Sequence, residues 1–275
     1  MNLAIIIVNF NTARYLKRTL RSILKSEELR KEDIIVVDNG EFHNNKRISL
    51  EKLLTDLPRK EFRLLINQTN KGFGFACNQA VKQTNKKNIL FLNPDCLITS
   101  KNVKKLIATL NSSKKIGVVA PRLLNGNNKD QRWSFASRSD VWSRLFGSYK
   151  KRKNIISPHS LDIGAKNVEW VSGACLMIKR KVFLKINGFD PRFFLYFEDR
   201  DLCLRIKNIG YQIVRYQKAE AIHLESQSLI GWSNRKKYYY RSQNYFFKKH
   251  YGLLATNLMK ILRIPYYIKN VYFSK

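Results

Sequence analysis

Acidic side chains are scarce in this sequence, so an isolated acid is the first place to look for chemistry. The 275 residues include 52 Lys and Arg but only 20 Asp and Glu. Asp95 is the only acid between Glu61 and Asp130, and it follows a run of apolar residues. An acid in this position can cap a turn or helix, or it can bind Mg²⁺ or Mn²⁺ together with a diphosphate. The sequence alone leaves both roles open.

Three further acids, Glu198, Asp199 and Asp201, begin a segment whose apolar residues recur at helical spacing. Helical geometry places Asp199 above the apolar face, whereas Asp201 points away from that face and is predicted to form a surface ion pair with Arg205. Acids in a first turn also suit the helix dipole, so a purely structural role is the alternative. The aromatic residues before them predict a low-dielectric wall that would tune the pKa of a catalytic base.

One of the four histidines has surroundings that suit a ligand. His223 follows a strand-like run at residues 219–222 and has small polar neighbours in Ser226 and Ser228. A neutral imidazole in such a place can bind a metal ion. A lone histidine is equally well explained as a structural residue, so this assignment stays open at the level of residue types.

The first hundred residues alternate short β-branched runs with amphipathic ones, which predicts the elements that must position these side chains. The predicted elements are a strand at 3–8, a helix at 12–24, strands at 33–38 and 62–66, a helix at 75–84 and a strand at 88–92. Strands that are apolar on both faces and separated by helices belong to a parallel sheet with helices on both sides. The predicted fold class is therefore α/β, of the doubly wound kind.

Polar clusters follow three of these strands. They are Asn9-Phe10-Asn11, Asp38-Asn39-Gly40 and Asn93-Pro94-Asp95. Asn, Asp, Gly and Pro are common turn residues, so each cluster alone is also explained as a turn. Ligands of open α/β sheets bind outside the carboxyl ends of the strands. Three such clusters at successive strand ends therefore favour a binding site.

The pattern is less regular beyond residue 100. Residues 125–166 lose periodicity and become basic, which fits either a mobile loop beside a site or an ordinary insertion. Order returns at Val168 to Ile178, predicted as one strand, and at Glu198 to Asn208, predicted as a helix.

Composition bounds the class of protein. The chain is 44% hydrophobic and 12% aromatic, which excludes a disordered basic tail or a histone-like arm. The net charge of +32 predicts an anionic partner, which could be nucleic acid, an acidic membrane or a phosphorylated substrate. The four cysteines are widely spaced, include no CxxC pair and lie mainly in apolar runs, which predicts buried thiols in a reducing compartment.

A set of segments occurs in a recognisable order along roughly residues 1–250. The segments are Val8-Asn9-Phe10-Asn11, Val36-Val37-Asp38-Asn39, Asn70 to Asn78, Leu92-Asn93-Pro94-Asp95, Gly173 to Ile178, Gly188-Phe189-Asp190, Phe197 to Cys203, and His223. In this order they resemble the inverting GT-A glycosyltransferases of family 2, and among them the bacterial rhamnosyltransferase-like members that build surface polysaccharides.

The resemblance implies a fold and a domain organisation. The implied GT-A fold is a Rossmann-like mixed sheet flanked by helices. A glycosyltransferase domain would occupy residues 1–225, with a nucleotide-binding half at about 1–100 and an acceptor half at about 101–225. A basic, aromatic helical segment would follow at 226–275.

The resemblance also implies roles for individual residues. The implied nucleotide-binding residues are Asn9, Asn11, Asp38, Gly72, Gly74, Asn78 and Asn93. Asp38 would accept hydrogen bonds from the base or ribose, and the two glycines would let the backbone approach the sugar nucleotide. Asp95 and His223 would bind Mg²⁺ or Mn²⁺. The family's DxD motif reads Asn93-Pro94-Asp95 here, so its first acid is absent and fewer carboxylates would hold the metal.

The implied reaction is an inverting sugar transfer. An acceptor hydroxyl attacks the anomeric carbon while a carboxylate removes its proton and the nucleoside diphosphate leaves. Asp199 is the candidate base and Glu198 is the alternative. The implied donor is a dTDP- or UDP-sugar, with dTDP-rhamnose as the specific expectation, and the acceptor is a glycan or a lipid-diphosphate-linked sugar.

Residues 226–275 contain no acid, while Lys and Arg alternate with aromatic residues and four aliphatic residues recur at helical spacing near 254–262. This composition suits the headgroup region of an anionic membrane. The sequence has no apolar stretch long enough to cross a bilayer and no signal peptide, so we expect a cytoplasmic protein that is peripheral on the inner face of the plasma membrane.

Two alternatives to membrane contact remain. The tail could instead pack on the core as a helical subdomain with a solvated basic face. A nucleic-acid-binding protein is the rival class, since basic stretches with aromatics are its usual footprint. It would leave Asp95 and the Glu198-Asp199 pair unexplained, so no nucleic-acid partner is expected.

Overall fold

The computed structural model describes residues 1–40, 54–136, 164–224 and 232–264. The strands are β1 (Leu3–Asn9), β2 (Asp33–Asp38), β3 (Arg63–Ile66), β4 (Asn88–Leu92), β5 (Cys96–Leu97), β6 (Ile116–Leu124), β7 (Phe135–Ala136), β8 (Ala165–Val168), β9 (Trp170–Val171), β10 (Cys175–Lys179) and β11 (Gln212–His223). The helices are α1 (Ala13–Leu24), α2 (Glu27–Arg30), α3 (Phe73–Val81), α4 (Ser100–Asn111), α5 (Arg180–Lys185), α6 (Glu198–Asn208) and α7 (Trp232–Leu262). Strands and helices therefore alternate in the first half of the chain, as predicted.

The main sheet is mixed. Within the described ranges, its strands run in the order β3-β2-β1-β4-β10-β6-β11-β5, with β8 paired to β11, while β7 and β9 form a separate pair. The four predicted strands of the first hundred residues are parallel to one another. Strand β10 is antiparallel to both β4 and β6. The sheet is thus the mixed, Rossmann-like sheet that the resemblance implies.

Both faces of the sheet are buried because successive side chains of each strand point to opposite sides. Along β1, Ile5 and Ile7 pack with helices α1 and α4, whereas Ala4 and Ile6 pack with α3, α5 and α6. Such strands must be apolar throughout. The four cysteines are all buried free thiols, as predicted.

The predicted strand from Val168 to Ile178 is wrong in its length. The structure divides this stretch among β8, β9 and β10. The break after β9 is a tight turn in which the Ser172 hydroxyl accepts a hydrogen bond from the Ala174 N–H. Gly173 lies in this turn, at the edge of the sheet where the polar strand ends meet.

The C-terminal helix α7 folds back on itself. Gly252 has φ 84° and interrupts the helical backbone. The Arg263 guanidinium lies 2.9 Å from Oε1 of Gln243, although a straight helix would separate these residues by about 30 Å. We call residues 232–251 the first arm and residues 253–264 the second arm. None of the helices that the structure describes is long and apolar enough to cross a membrane.

The first arm packs on the core. Its Phe246 and Phe247 form a buried cluster with Phe193 and Phe197 and with Met259 of the second arm. The first arm therefore packs on the core, which is one of the alternatives that the sequence left open for the tail. Most of the aperiodic stretch at 125–166, together with Ser226, Ser228 and residues 265–275, lies outside the described residues.

Candidate functional site

The ends of β1 and β2 form one polar corner. The Asn9 side-chain amide donates to Asp38 Oδ1 at 2.8 Å, and its own Oδ1 accepts from the Thr12 hydroxyl at 2.8 Å. Asp38 also accepts from the Gly40 N–H at 3.2 Å. Burial raises the pKa of Asp38, and the hydrogen bonds from Asn9 and Gly40 oppose that rise. Asn9 therefore holds the Asp38 carboxyl in place rather than offering a free amide.

Asn11 lies next to this carboxyl. A Cβ added at Gly40 would be 3.3 Å from Asp38 Oδ1 and 3.5 Å from Asn11 Oδ1, so both side chains border the same space. Asn11 adopts φ 54°, a left-handed conformation that Asn tolerates better than most residues. The two oxygens present adjacent acceptors at the edge of the sheet.

The glycines at the start of α3 are needed for contact with protein. A Cβ on Gly72, which has φ 96°, would lie 2.5 Å from the Phe194 carbonyl oxygen. A Cβ on Gly74 would lie 2.9 Å from the Phe189 Cβ. This close packing of α3 on residues 189–194 accounts for both glycines, and their contact with a nucleotide stays a prediction.

Asn78 is also used inside the protein. Its amide donates to the Phe189 carbonyl at 2.8 Å and its oxygen accepts from the Phe189 N–H at 2.9 Å. The pair of bonds clamps α3 to the turn before residue 190. A nucleotide contact by Asn78 is not tested by this geometry and stays a prediction.

Asp95 and His223 come together because β5 pairs with the end of β11. The register places His223 opposite Cys96, the residue after Asp95. Nε2 of His223 lies 3.4 Å from Asp95 Oδ1, and both side chains are buried. The Asn93 amide nitrogen lies 3.4 Å from the same ring nitrogen. Three residues predicted for one site are thus adjacent.

Gln131 fixes the orientation and tautomer of this histidine. Its amide nitrogen donates to the His223 backbone carbonyl at 2.8 Å, which sets the direction of the amide. Its oxygen therefore faces Nδ1 of the ring, at 3.0 Å, and that nitrogen must carry the proton. The lone pair of Nε2 is left facing Asp95. Gln131 is buried and is itself held by its N–H bond to the Leu123 carbonyl at 2.7 Å.

This pair of donors fits a hard divalent cation. Adjacent ligands of an octahedral Mg²⁺ with bonds of about 2.1 Å lie about 3 Å apart, close to the observed 3.4 Å. No group of three or more His, Cys, Asp or Glu side chains within the described residues is arranged to hold a metal ion. Diphosphate oxygens and water would have to complete the shell.

Asp199 lies in the first turn of α6 and faces the turn before β10. Its Oδ2 accepts from the Gly173 N–H at 3.1 Å and its Oδ1 from the Arg200 N–H at 2.8 Å. The side chain is partly exposed. Burial raises the pKa of Asp199, while the Arg200 charge and the two N–H bonds oppose that rise.

Glu198 has a different environment although it is the adjacent residue. It is buried, and its Oε2 has no hydrogen-bond partner among the described residues. Burial, and then the charge of Asp199, raise the pKa of Glu198 to about 8. A raised pKa favours the protonated form of Glu198 near neutral pH, whereas the Arg200 charge and two N–H bonds favour the ionised form of Asp199. Of the two predicted candidates, Asp199 is the more exposed residue.

The backbone that carries these acids is strained. Tyr196 and Phe197 have φ values of 68° and 67°, in the left-handed region that residues with a Cβ avoid. Two such residues in succession cost on the order of 1–3 kcal/mol each and persist where packing enforces them. Arg200 lies over the rings of Trp170 and Phe197 at 4.5 and 4.6 Å, which fixes the start of α6 against β9.

One short turn connects the two groups of acids. The Gly173 N–H binds Asp199, and the next residue, Ala174, accepts the Asn93 backbone N–H at 2.9 Å. Because β10 is antiparallel to β4, its first residues lie at the edge where β4 ends. The candidate base and the Asp95–His223 pair therefore lie at the same edge of the sheet.

The surface ion pair predicted for Asp201 is wrong. Asp201 does pair with Arg205, at 2.8 Å, but its side chain is 0% exposed. Lys249 and His250 of the first arm contact it at 2.5 and 2.8 Å. Helical spacing correctly predicts that Asp201 points away from the apolar face of α6. The first arm covers the side of α6 on which Asp201 lies, so the residue is buried.

Sequence reasoning also missed Gln131 and the turn that follows it. Trp133 is 41% exposed, and its ring lies 6.0 Å from that of His223. Asp130 forms an ion pair with the buried Arg215 at 2.6 Å, which anchors this turn to β11. The sequence shows only that Gln131 and Trp133 are two residues apart. Their closeness to His223 is visible only in the structure.

Comparison with known families identifies the family of most of the chain. Residues 4–186 match the Glycosyl transferase family 2 profile. Residues 165–227 also match the family described as N-terminal domain of galactosyltransferase. The first match spans most of the chain, including both polar strand ends, the Gly72 turn and Asp95.

Curated relatives cover most of the sequence. An N-acetylglucosaminyl-diphospho-decaprenol L-rhamnosyltransferase of Mycobacterium tuberculosis is 23% identical over 82% of this chain and 77% of its own length. Rhamnosyltransferase WbbL of Escherichia coli is 28% identical over 80% of this chain and 82% of its own. The hexosyltransferase Agl10 of Haloferax volcanii, named for low-salt glycan biosynthesis, is 23% identical over 100% of this chain and 86% of its own.

Two solved structures share the fold. The mannosyltransferase PcManGT of Pyrobaculum calidifontis, solved with GDP-Man and Mn²⁺, matches 97% of this chain and 69% of its own with a TM-score of 0.60. GalNAc-T7, solved with UDP, GalNAc and Mn²⁺, matches 98% of this chain and 57% of its own with a TM-score of 0.61. Both are 14% identical to the chain, so the likeness shows the GT-A fold alone. With a family match over residues 4–186 and this fold, the chain belongs to glycosyltransferase family 2.

Proposed function

We propose that this nucleotide-sugar glycosyltransferase acts with inversion, using Asp199 as the base and the Asp95–His223 pair to hold a divalent metal ion. The observation that carries the proposal is the turn at residues 173–174, which binds Asp199 on one side and Asn93 on the other. This connection supports a role for Asp199 as base next to a diphosphate and its cation at Asp95 and His223. An inverting displacement needs both groups on opposite sides of one anomeric carbon.

In this mechanism Asp199 takes the proton of the attacking hydroxyl on a carboxylate lone pair that its two N–H bonds do not use. The bonds from Gly173 and Arg200 hold the carboxylate in one rotamer and favour its ionised form. Glu198 stays neutral, which prevents repulsion between adjacent carboxylates. A metal ion at Asp95 and His223 would stabilise the negative charge that develops on the leaving diphosphate.

Nucleotide recognition is proposed for the corner formed by Asn9, Asn11 and Asp38. Asp38 would accept hydrogen bonds from the base or ribose, with Asn9 fixing the carboxyl and Asn11 lining the same space. Asn93, between this corner and His223, would contact the donor near its phosphates. Gly72, Gly74 and Asn78 would act by shaping the wall at the start of α3.

The donor and acceptor are proposed from the printed names of relatives. Two relatives are rhamnosyltransferases, and one of these names a diphospho-decaprenol acceptor. We propose dTDP-rhamnose as donor, with a UDP-sugar as the alternative, and a glycan or lipid-diphosphate-linked sugar as acceptor. A bacterial surface polysaccharide such as lipopolysaccharide would be the product.

The proposed place of action is the cytoplasmic face of the plasma membrane, where a lipid-linked acceptor would be found.

The proposed domain organisation is a glycosyltransferase domain at residues 1–225, divided at about residue 100, and an attached helical segment at 226–275. The rival hypothesis of nucleic-acid binding is not favoured, because residues 4–186 match a glycosyltransferase family.

A thermal-shift panel tests the proposed function. We expect a dTDP- or UDP-sugar to stabilise the protein with Mn²⁺ or Mg²⁺ and much less without metal, because the diphosphate and Asp95–His223 share the cation. Oligonucleotides of matched charge are the control. Tight, salt-sensitive oligonucleotide binding together with no response to any nucleotide sugar would overturn the proposal.

A further inference from the structure

The second arm presents its apolar side to solvent. Leu254 is 88% exposed, Leu258 is 55% exposed and Ile261 is 63% exposed. Their i, i+4, i+7 spacing puts them on one face of the helix. Further exposed apolar residues of this arm flank them: Leu253, Leu262 and Ile264.

The opposite side of the second arm is already occupied. Met259 is buried in the aromatic cluster with Phe246 and Phe247 of the first arm. Thr256 is buried, and its hydroxyl donates to the Gly252 carbonyl. The hairpin is therefore fixed on the protein by one side, and the aliphatic face is not the side that holds it there. A contiguous exposed aliphatic surface of this kind marks an interaction site.

Charge around this face selects the class of partner. The two arms carry exposed cations at Lys237, Arg241, Lys248 and Lys260. Residues 226–275 contain no Asp or Glu. An exposed aliphatic face on a hairpin that carries cations and no acids matches the boundary between acyl chains and anionic headgroups.

A second copy of the chain is a poorer occupant. A helix of 12 residues is about 18 Å long and ~10 Å wide, so this face covers on the order of 200 Å² of footprint. A stable interface needs about 800 Å² from each partner. Two copies would also bring together surfaces of a chain whose net charge is +32, and they would repel each other.

We propose that the second arm docks on an anionic lipid bilayer, with Leu254, Leu258 and Ile261 inserted among the acyl chains. The first arm would transmit this anchorage to the site, because it packs on Phe193 and Phe197, directly before Glu198. This assigns the membrane contact to one face of one helix. Whether docking brings the site to a lipid-linked acceptor rests on the proposed function, but the docking itself does not.

Vesicle co-sedimentation of the full chain tests the docking. The probes are phosphatidylcholine vesicles with and without phosphatidylglycerol. We expect binding only with the anionic lipid, weakened by salt, and at least about a tenfold loss of affinity in Leu254→Glu/Leu258→Glu. The matched control is Leu184→Glu/Ile209→Glu, which changes charge equally at residues 46% and 37% exposed on other elements, and it should bind within about twofold of wild type.

Three results would overturn the docking: equal binding to neutral vesicles, equal loss in the control variant, or wild-type binding by Leu254→Glu/Leu258→Glu. Light scattering without vesicles tests the second copy: if the wild type is a dimer and Leu254→Glu/Leu258→Glu is a monomer, the face binds a second copy instead. Metal-dependent stabilisation by nucleotide sugars, measured on the same variants, should stay unchanged. If the wild type shows no such stabilisation, the proposed function is contradicted. The vesicle result still tests the docking by itself.

Discussion

Two adjacent carboxylates on α6 acquire different properties from their surroundings alone. Asp199 is partly exposed and accepts two backbone N–H bonds, whereas Glu198 is buried and one of its oxygens has no partner among the described residues. Neither difference follows from residue type. At the scale of single residues, the sequence was sufficient to name the candidates, but burial was required to choose between them.

Replacing Glu198 tests its neutral state. Because the pKa of Glu198 is raised to about 8 in the folded protein, folding is opposed as pH rises from about 4 towards 8. We expect Glu198→Gln to increase the free energy of unfolding by ~5 kcal/mol at pH 8.5 and by little at pH 5. Urea unfolding at the two pH values measures this. An equal effect at both would contradict the assigned pKa.

Replacing Gln131 tests the control of His223. We expect Gln131→Ala to weaken Mn²⁺ binding about 10- to 100-fold, because the ring is no longer held with Nε2 towards Asp95. Isothermal titration in the presence of UDP measures the affinity, and metal-free UDP binding should not change. Gln243→Ala, which removes a similarly buried glutamine from the hairpin, is the control. Wild-type Mn²⁺ affinity in Gln131→Ala would refute this role.

At the scale of elements, the parallel strands and their helices were predictable because their signals are local. Apolar runs mark β1, β2 and β4, and polar residues lie at the end of each strand or directly after it. The burial of Asp201 was not predictable, since Lys249 and His250 lie 48 and 49 residues further along the chain. The same holds for Gln131 and His223, which are 92 residues apart. Contacts of this separation leave no periodic trace in a sequence.

The buried network at Asp201 is predicted to hold the first arm on α6. Burial alone would raise the pKa of Asp201, but the bond from His250 and the charges of Arg205 and Lys249 outweigh it and lower the pKa. We expect Asp201→Asn to destabilise the protein by ~3 kcal/mol, because Arg205 loses a buried counter-ion and Lys249 loses one of the two, Asp201 and Asp190, that it contacts. Hydrogen exchange should show the loss in α7 first.

The control for this change is Asp56→Asn. Asp56 pairs with Lys17 and Arg21 but is 44% exposed, so its loss should have little effect on stability. Because the folded pKa of Asp201 is lowered, its contribution is present above about pH 4 and is lost as pH falls further. Equal destabilisation by the two variants would show that the Asp201 network has no special weight.

At the scale of the whole molecule, the net charge of +32 divides into parts with different uses. Some cations are committed inside the fold, as Arg215 is to Asp130 and Lys249 is to Asp201. Others are exposed on the hairpin that also presents the aliphatic face of the second arm. Total charge predicted an anionic partner, but the structure was needed to show that Gly252 divides this segment into two arms.

The mixed sheet brings residues from both halves of the chain to one edge. Asn93 and Asp95 follow β4, Gly173 precedes the antiparallel β10, and His223 ends β11. Parallel strands alone would not place the start of a strand at this edge. The antiparallel insertion of β10 therefore brings the proposed base and the proposed metal-binding pair to one edge of the sheet, and the proposed mechanism depends on this feature of the topology.

Sugar transfer by Asp199→Asn, measured beside Glu198→Gln, tests that account most directly. The measurement is single-turnover transfer from the nucleotide sugar that gives metal-dependent stabilisation, with donor affinity measured in parallel. We predict that Asp199→Asn lowers the transfer rate by about 10²–10⁴-fold with donor affinity nearly unchanged, whereas Glu198→Gln stays within about tenfold of wild type. Near wild-type transfer by Asp199→Asn would contradict the assignment of Asp199 as the base.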